Sequence, residues 1–209
     1  MKDFPGLYLS IEGTRQSRSR REILSKLTVL YHNEGYKTVR VQSPFQYNEI
    51  YLLDPKVQYA RLLACWLDQI LPALQEKAIV FCDDSLWTLV IKAIQAVDNP
   101  EVTEDLLTYF IRNINPIRVN TPDLVFYLED PYYTLEDMYE LGYSGDGAVA
   151  ALAYFAKVQH HYMTTNPGII TEEVYRIPKE ITSAEPPLLL NRIKNVLDLV
   201  IDKYDIART

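Results

Sequence analysis

Residues 12 to 20 read Glu-Gly-Thr-Arg-Gln-Ser-Arg-Ser-Arg, between an apolar run ending at Ile11 and a helical pattern that starts near residue 19. A strand, a loop opening on glycine and a helix start are the outline of a phosphate-binding loop. In such a loop, glycines let backbone N–H groups close around phosphate oxygens, a lysine reaches the outer phosphates, and Ser or Thr holds magnesium. Here Gly13 is the loop's one glycine, and no lysine is present. Arg15, Arg18, Arg20 and Arg21 stand in the loop and helix start instead. Three readings are open for them: a solvated first helix turn, an anion-binding surface whose guanidinium forks match phosphate or carboxylate, or a contact for an acidic partner protein. Four arginines opposing the helix dipole create a demand for something negative nearby.

Asp83 and Asp84 follow another apolar run and form the second chemical candidate, either as a cation-binding pair or as solvated carboxylates. Glu129 and Asp130 are read as opening a following helix at its positive end. His32, His160 and His161 lack the spacing and the carboxylate company of a metal site, so no metal is expected. Tyr132, Tyr133, Tyr139 and Tyr143 gather where amphipathic rings suit an interface, while Trp66 and Trp87 read as core or pocket wall.

Elements must bring these residues together. Leu7 to Ile11, Lys37 to Gln42, Ala78 to Cys82 and Leu124 to Leu128 are nearly continuous apolar runs, with a weaker fifth at Glu173 to Ile177. Such runs suit strands buried on both faces of a parallel sheet. Helical spacing occupies 19–34, closing at Gly35, and then Pro55–Gln75, 86–97, 104–114, Ala148–Met163 and Leu188–Tyr204. Leu141 to Gly147 reads as a mobile loop. Alternating strands and helices predict an α/β, three-layer fold, in one domain spanning 1–209. Sites of such sheets lie beyond the carboxyl ends of the strands, here 12–20, 43–46, 83–87 and 129–132.

The bulk composition sets limits. A net charge of −7 over 209 residues argues against a general nucleic-acid binder. The N-terminus is too short in apolar length for a signal peptide, and no segment approaches the roughly 20 apolar residues of a membrane span. The two cysteines, Cys65 and Cys82, sit in apolar runs and suit a reducing, cytoplasmic setting.

Taken in order, IEG at 11–13, SP at 43–44, PAL at 72–74, VFCDD at 80–84 and PDLVFYLEDPYYTLEDM at 122–138 resemble the thymidylate kinase family. Members are P-loop enzymes that phosphorylate dTMP from ATP, and the resemblance covers most of residues 5 to 165. It implies a P-loop NTPase-like fold with a five-stranded parallel sheet. The family's loop, E-G-x-D-G-x-G-K-[ST], falls on Glu12 to Arg20, where Glu12 and Gly13 match. Its aspartate falls on Arg15, its later glycines on Gln16 and Arg18, its lysine on Ser19, and its Ser or Thr on Arg20. After the third strand the family has Asp-Arg and an aromatic residue, whereas this chain has Asp83-Asp84-Ser85. The family's Glu-Pro is Ser43-Pro44, followed by Phe45, and a pocket arginine falls near Arg61. The lid segment, Tyr139 to Ala153, carries no Arg or Lys.

Phosphoryl transfer depends on positioning and electrostatic stabilisation, so losses at loop, pocket and lid together imply a catalytically inactive relative, with no catalytic residues and no cofactor. It would serve as a binding, scaffolding or regulatory subunit, as a homodimer or with a protein partner. Glu12, Phe45, Arg61, Asp83 and Asp84 would line whatever nucleotide or cation pocket remains. The alternatives are a divergent active kinase using ATP and magnesium, and a nucleotide sensor without transfer.

Overall fold

The computed structural model describes residues 4–13, 18–41, 55–83, 85, 88, 91, 122–129, 133–164, 173–178 and 186–208. Its elements, in chain order, are β1 (Leu7–Glu12), α1 (Arg18–Asn33), β2 (Thr38–Val41), α2 (Pro55–Cys65), a π-helical turn (Trp66–Ile70), α3 (Leu71–Gln75) and β3 (Ile79–Cys82). They continue with β4 (Leu124–Leu128), α4 (Leu135–Glu140), α5 (Gly145–Thr164), β5 (Glu173–Ile177) and α6 (Pro186–Lys203). All five expected strands are present. They form one parallel sheet in the order β2-β3-β1-β4-β5.

β1 lies at the centre, and all six of its residues are buried, which is why its sequence runs apolar instead of alternating. Leu7, Leu9 and Ile11 pack with Leu24, Leu27, Ile193 and Leu197, so α1 and α6 cover one face. Tyr8 packs on the other face with Val80, Trp66, Ile70 and Leu74 from the segment joining β2 to β3. The connection leaving β1 therefore crosses one face while the connection entering β3 crosses the other. That divergence sets a topological switch point at the carboxyl ends of β1 and β3, where α/β sheets place their chemistry.

Asp123 fixes the opposite end. Its carboxylate accepts the Tyr8 N–H at 2.7 Å, and its own N–H donates to the Tyr8 carbonyl at 2.8 Å, pinning β4 beside β1. Gly6 enters β1 so close to α3 that a Cβ there would lie 2.6 Å from the Ala78 carbonyl oxygen and 2.7 Å from the Leu74 Cα. No other residue fits that approach.

The single helix expected over Pro55–Gln75 is helical throughout but broken in register. Pro72 has no N–H to give the carbonyl four residues back, and the ladder passes through a π turn in which the Leu71 N–H donates to Trp66 O. The turn leaves Trp66 and Ile70 both buried against the sheet, the core role expected for Trp66. Gly35 ends α1 as anticipated, at φ 91°, with the Tyr36 N–H on Tyr31 O and the Gly35 N–H on His32 O.

Two expectations are corrected. Residues 141–147 are not a loop throughout: Gly142, at φ 90°, closes α4, and Gly145–Gly147 already belong to α5. Among the described residues, the first helix after β4 does not open at Glu129, and Asp130 lies outside them. That helix opens at Thr134, where Thr134 and Asp137 form a reciprocal capping box, because Thr134 Oγ1 can accept the Asp137 N–H, and Glu129 lies too early to do this. The expected helices over 86–97 and 104–114 lie outside the described residues, apart from Thr88 and Ile91, which are helical. Among the described residues, no helix is long and apolar enough to cross a membrane.

Candidate functional site

The carboxyl ends of β1 and β3 and the first turn of α1 bring together Ser10, Glu12, Gly13, Arg20, Asp83 and Thr88. Ser10 and Glu12 are two apart on β1 and so share a face of the strand. Both are fully buried, and Ser10 Oγ donates to Glu12 Oε1 at 3.0 Å. Thr88, early in the connection after β3, donates its hydroxyl to Glu12 Oε2. Both carboxylate oxygens thus accept protein hydroxyls, which satisfies a group that is costly to bury alone.

Arg20 is 2% exposed and the largest wholly buried side chain among the described residues. Its guanidinium donates two long hydrogen bonds from Nη1, to the carbonyl oxygens of Ile11 and Gly13, each 3.5 Å. Its Nε stands 3.7 Å from Asp83 Oδ1, whose own side chain is 6% exposed. Arg21, 61% exposed, brings a second guanidinium to within 3.9 Å of Asp83 Oδ2. Asp83 is the negative group that the arginine-rich helix start demanded: two cations at the positive end of α1 are offset by one carboxylate from the neighbouring strand.

The solvated-turn reading of the arginines therefore fails at Arg20. Exposure is denied it by its place in the first turn of α1, on the side facing the sheet, where Ile23, Leu24 and Leu27 continue the buried stripe. Arg20 belongs to that stripe by position and is tolerated there because carbonyls and a carboxylate meet its charge. As an anion-binding residue it is already engaged.

Of the other expected site residues, Arg61 lies exposed on α2 and outside the buried cluster. Arg18 and Ser19 open α1, their side chains outside the described residues, and Arg15, Gln16, Phe45 and Asp84 also lie outside them. Ser10 and Thr88 went unrecognised as Glu12's partners. The period of two along β1 is a signal that could have found Ser10, whereas Thr88 carries none, since its approach depends on the tertiary path after β3.

Beneath the site, Tyr8 is buried beside Cys82 and Cys65 on the same face as Glu12. Burial pushes its phenol well above the ordinary range, and the nearby Cys82 and Glu12 push the same way. Burial likewise raises the Cys65 thiol, with Asp68 adding to it, so this buried free cysteine is a poor nucleophile. Among the described residues, no group of three His, Cys, Asp or Glu side chains could hold a metal ion.

The fold and the site define an α/β protein with a central parallel sheet and a buried, self-compensated cluster of charges at its carboxyl edge. No protein-family model matches the chain, and no curated protein matches its sequence.

Proposed function

We propose that this protein is a thymidylate kinase-like protein that has lost phosphoryl transfer and acts as a binding, scaffolding or regulatory subunit in the cytoplasm. One observation carries the reading. In the family's pattern, position 20 supplies the Ser or Thr that holds magnesium, and Asp83 the acid that sits near it. Here the buried guanidinium of Arg20 approaches Asp83 to 3.7 Å and takes the carbonyls of Ile11 and Gly13. The chain's own cation neutralises the carboxylate that a metal ion would need. These residues do not fit a magnesium nucleotide, because a second, divalent positive charge beside Arg20 meets repulsion in a site shielded from water. Cys65 and Cys82 are buried and not joined in a disulfide, which suits a reducing compartment.

The test compares thermal melting in buffer, with ATP and magnesium, and with dTMP, alongside turnover of ATP and dTMP to ADP and dTDP. A ligand at about 100 times its dissociation constant adds roughly 2.7 kcal/mol of stability. The scaffold reading expects neither a shift nor turnover. A shift with ATP but no turnover makes the protein a sensor, and turnover makes it an active kinase.

A further inference from the structure

α4 is a six-residue helix that commits one apolar side chain fully to the core, Met138, which packs with Ala148, Ala151 and Phe155 of α5. Leu135 and Tyr139 are 41% and 53% exposed and stand four residues apart, so they form one ridge. Glu136 and Glu140, also exposed, form the ridge beside it. Leu141 and Val149, 40% and 57% exposed, carry apolar surface toward the start of α5. The helix ends are closed by the Thr134–Asp137 box and by Gly142, so neither ridge is needed to cap them. From residue 119 to residue 156 the chain has seven acidic residues and no Lys, Arg or His.

Exposed apolar side chains bordered by acids of a single sign mark a contact surface with a definite charge preference. Anionic lipid and nucleic acid are both repelled by it. We propose that the α4–α5 hairpin docks an amphipathic helix of a partner protein, one whose apolar stripe is bordered by Lys or Arg. The stripe covers Leu135 and Tyr139, and the cations meet Glu136 and Glu140. This deepens the binding role argued above and rests on it.

The probe is a synthetic peptide of leucine and lysine at helical spacing, titrated against the full chain. Two peptides serve as controls, one with glutamate for lysine and one with serine for leucine. The leucine–lysine peptide is expected to bind at least about tenfold more tightly than either control. Leu135→Ser with Tyr139→Ser, and separately Glu136→Gln with Glu140→Gln, should each weaken it by about tenfold or more. The glutamine pair keeps side-chain shape, so its effect reports charge and not folding. Leu199→Ser, at a 70% exposed site on α6, should leave binding unchanged. Equal binding of the lysine–serine peptide overturns the proposal, because the overall charge of −7 would then suffice. Unchanged affinity in both double variants overturns it too, as does self-association of the protein that Leu135→Ser with Tyr139→Ser abolishes. Failure here leaves the nucleotide and turnover results untouched, so loss of catalysis and the docking surface stand or fall separately.

Discussion

Arg20 Nε lies 3.7 Å from Asp83 Oδ1, joining the first turn of α1 to the end of β3 across a space where both side chains are almost wholly withdrawn from water. Removing one member of a buried ion pair leaves the other uncompensated. Arg20→Met, which keeps bulk but not charge, is expected to cost about 3–5 kcal/mol in denaturant unfolding. Arg21→Ala, at a mostly exposed partner, should cost less than about 1 kcal/mol. In a double-mutant cycle with Asp83→Asn, the Arg20→Met loss should shrink by at least about 1 kcal/mol. Additive losses would show that the two side chains are neighbours without energetic coupling.

Tyr31 ties α1 to α6 by donating its hydroxyl to Asp198 Oδ1 at 2.7 Å. Burial, and then the Asp198 carboxylate, raise its phenol pKa far above the ordinary 10.0. In the unfolded chain the phenol ionises near its ordinary value while the folded form keeps its proton. Its contribution is therefore complete below about pH 10 and is lost progressively as the pH rises above that. Tyr31→Phe should lower stability by about 1 kcal/mol at neutral pH. Above pH 10 its stability should fall less steeply than the parent's, and parallel curves would remove Tyr31 from the alkaline transition.

Lys77 and Gly35 occupy the same position in the same motif, just beyond α3 and α1, with φ of 62° and 91°. At Lys77 the motif is completed by the Ala78 N–H on Ala73 O and the Lys77 N–H on Leu74 O. A left-handed backbone strains any residue with a Cβ, so Lys77→Gly is expected to raise stability by about 0.5–1 kcal/mol. Gly35→Ala should lower it by about 1–2 kcal/mol. A Cβ at Gly35 would meet nothing nearer than the Arg208 Cβ at 3.9 Å, so the loss would be backbone strain and not a clash. Opposite signs for the two variants, measured by thermal melting, are the expected result.

The sequence by itself determined the sheet. Runs such as LYLSIE and LVFYL allow burial on both faces, and the helical spacing between strands leaves a parallel, three-layer arrangement as the way to bury them. It also located Gly35, whose place after a periodic stretch signals a helix stop by local chemistry alone. Placement of charge at the strand ends was legible too, since the fold class fixes which ends carry function. The state of those charges was decided only by the tertiary structure. An arginine in a row of arginines reads as solvated until the face of α1 that meets the sheet is known, and Arg20 lies on that face. Thr88 reaches Glu12, and Asp83 reaches Arg20, across sequence separations over which no local pattern carries information. Propensity and periodicity act over a few residues, whereas compensation of a buried charge depends on which distant groups the packed sheet brings within a few ångströms.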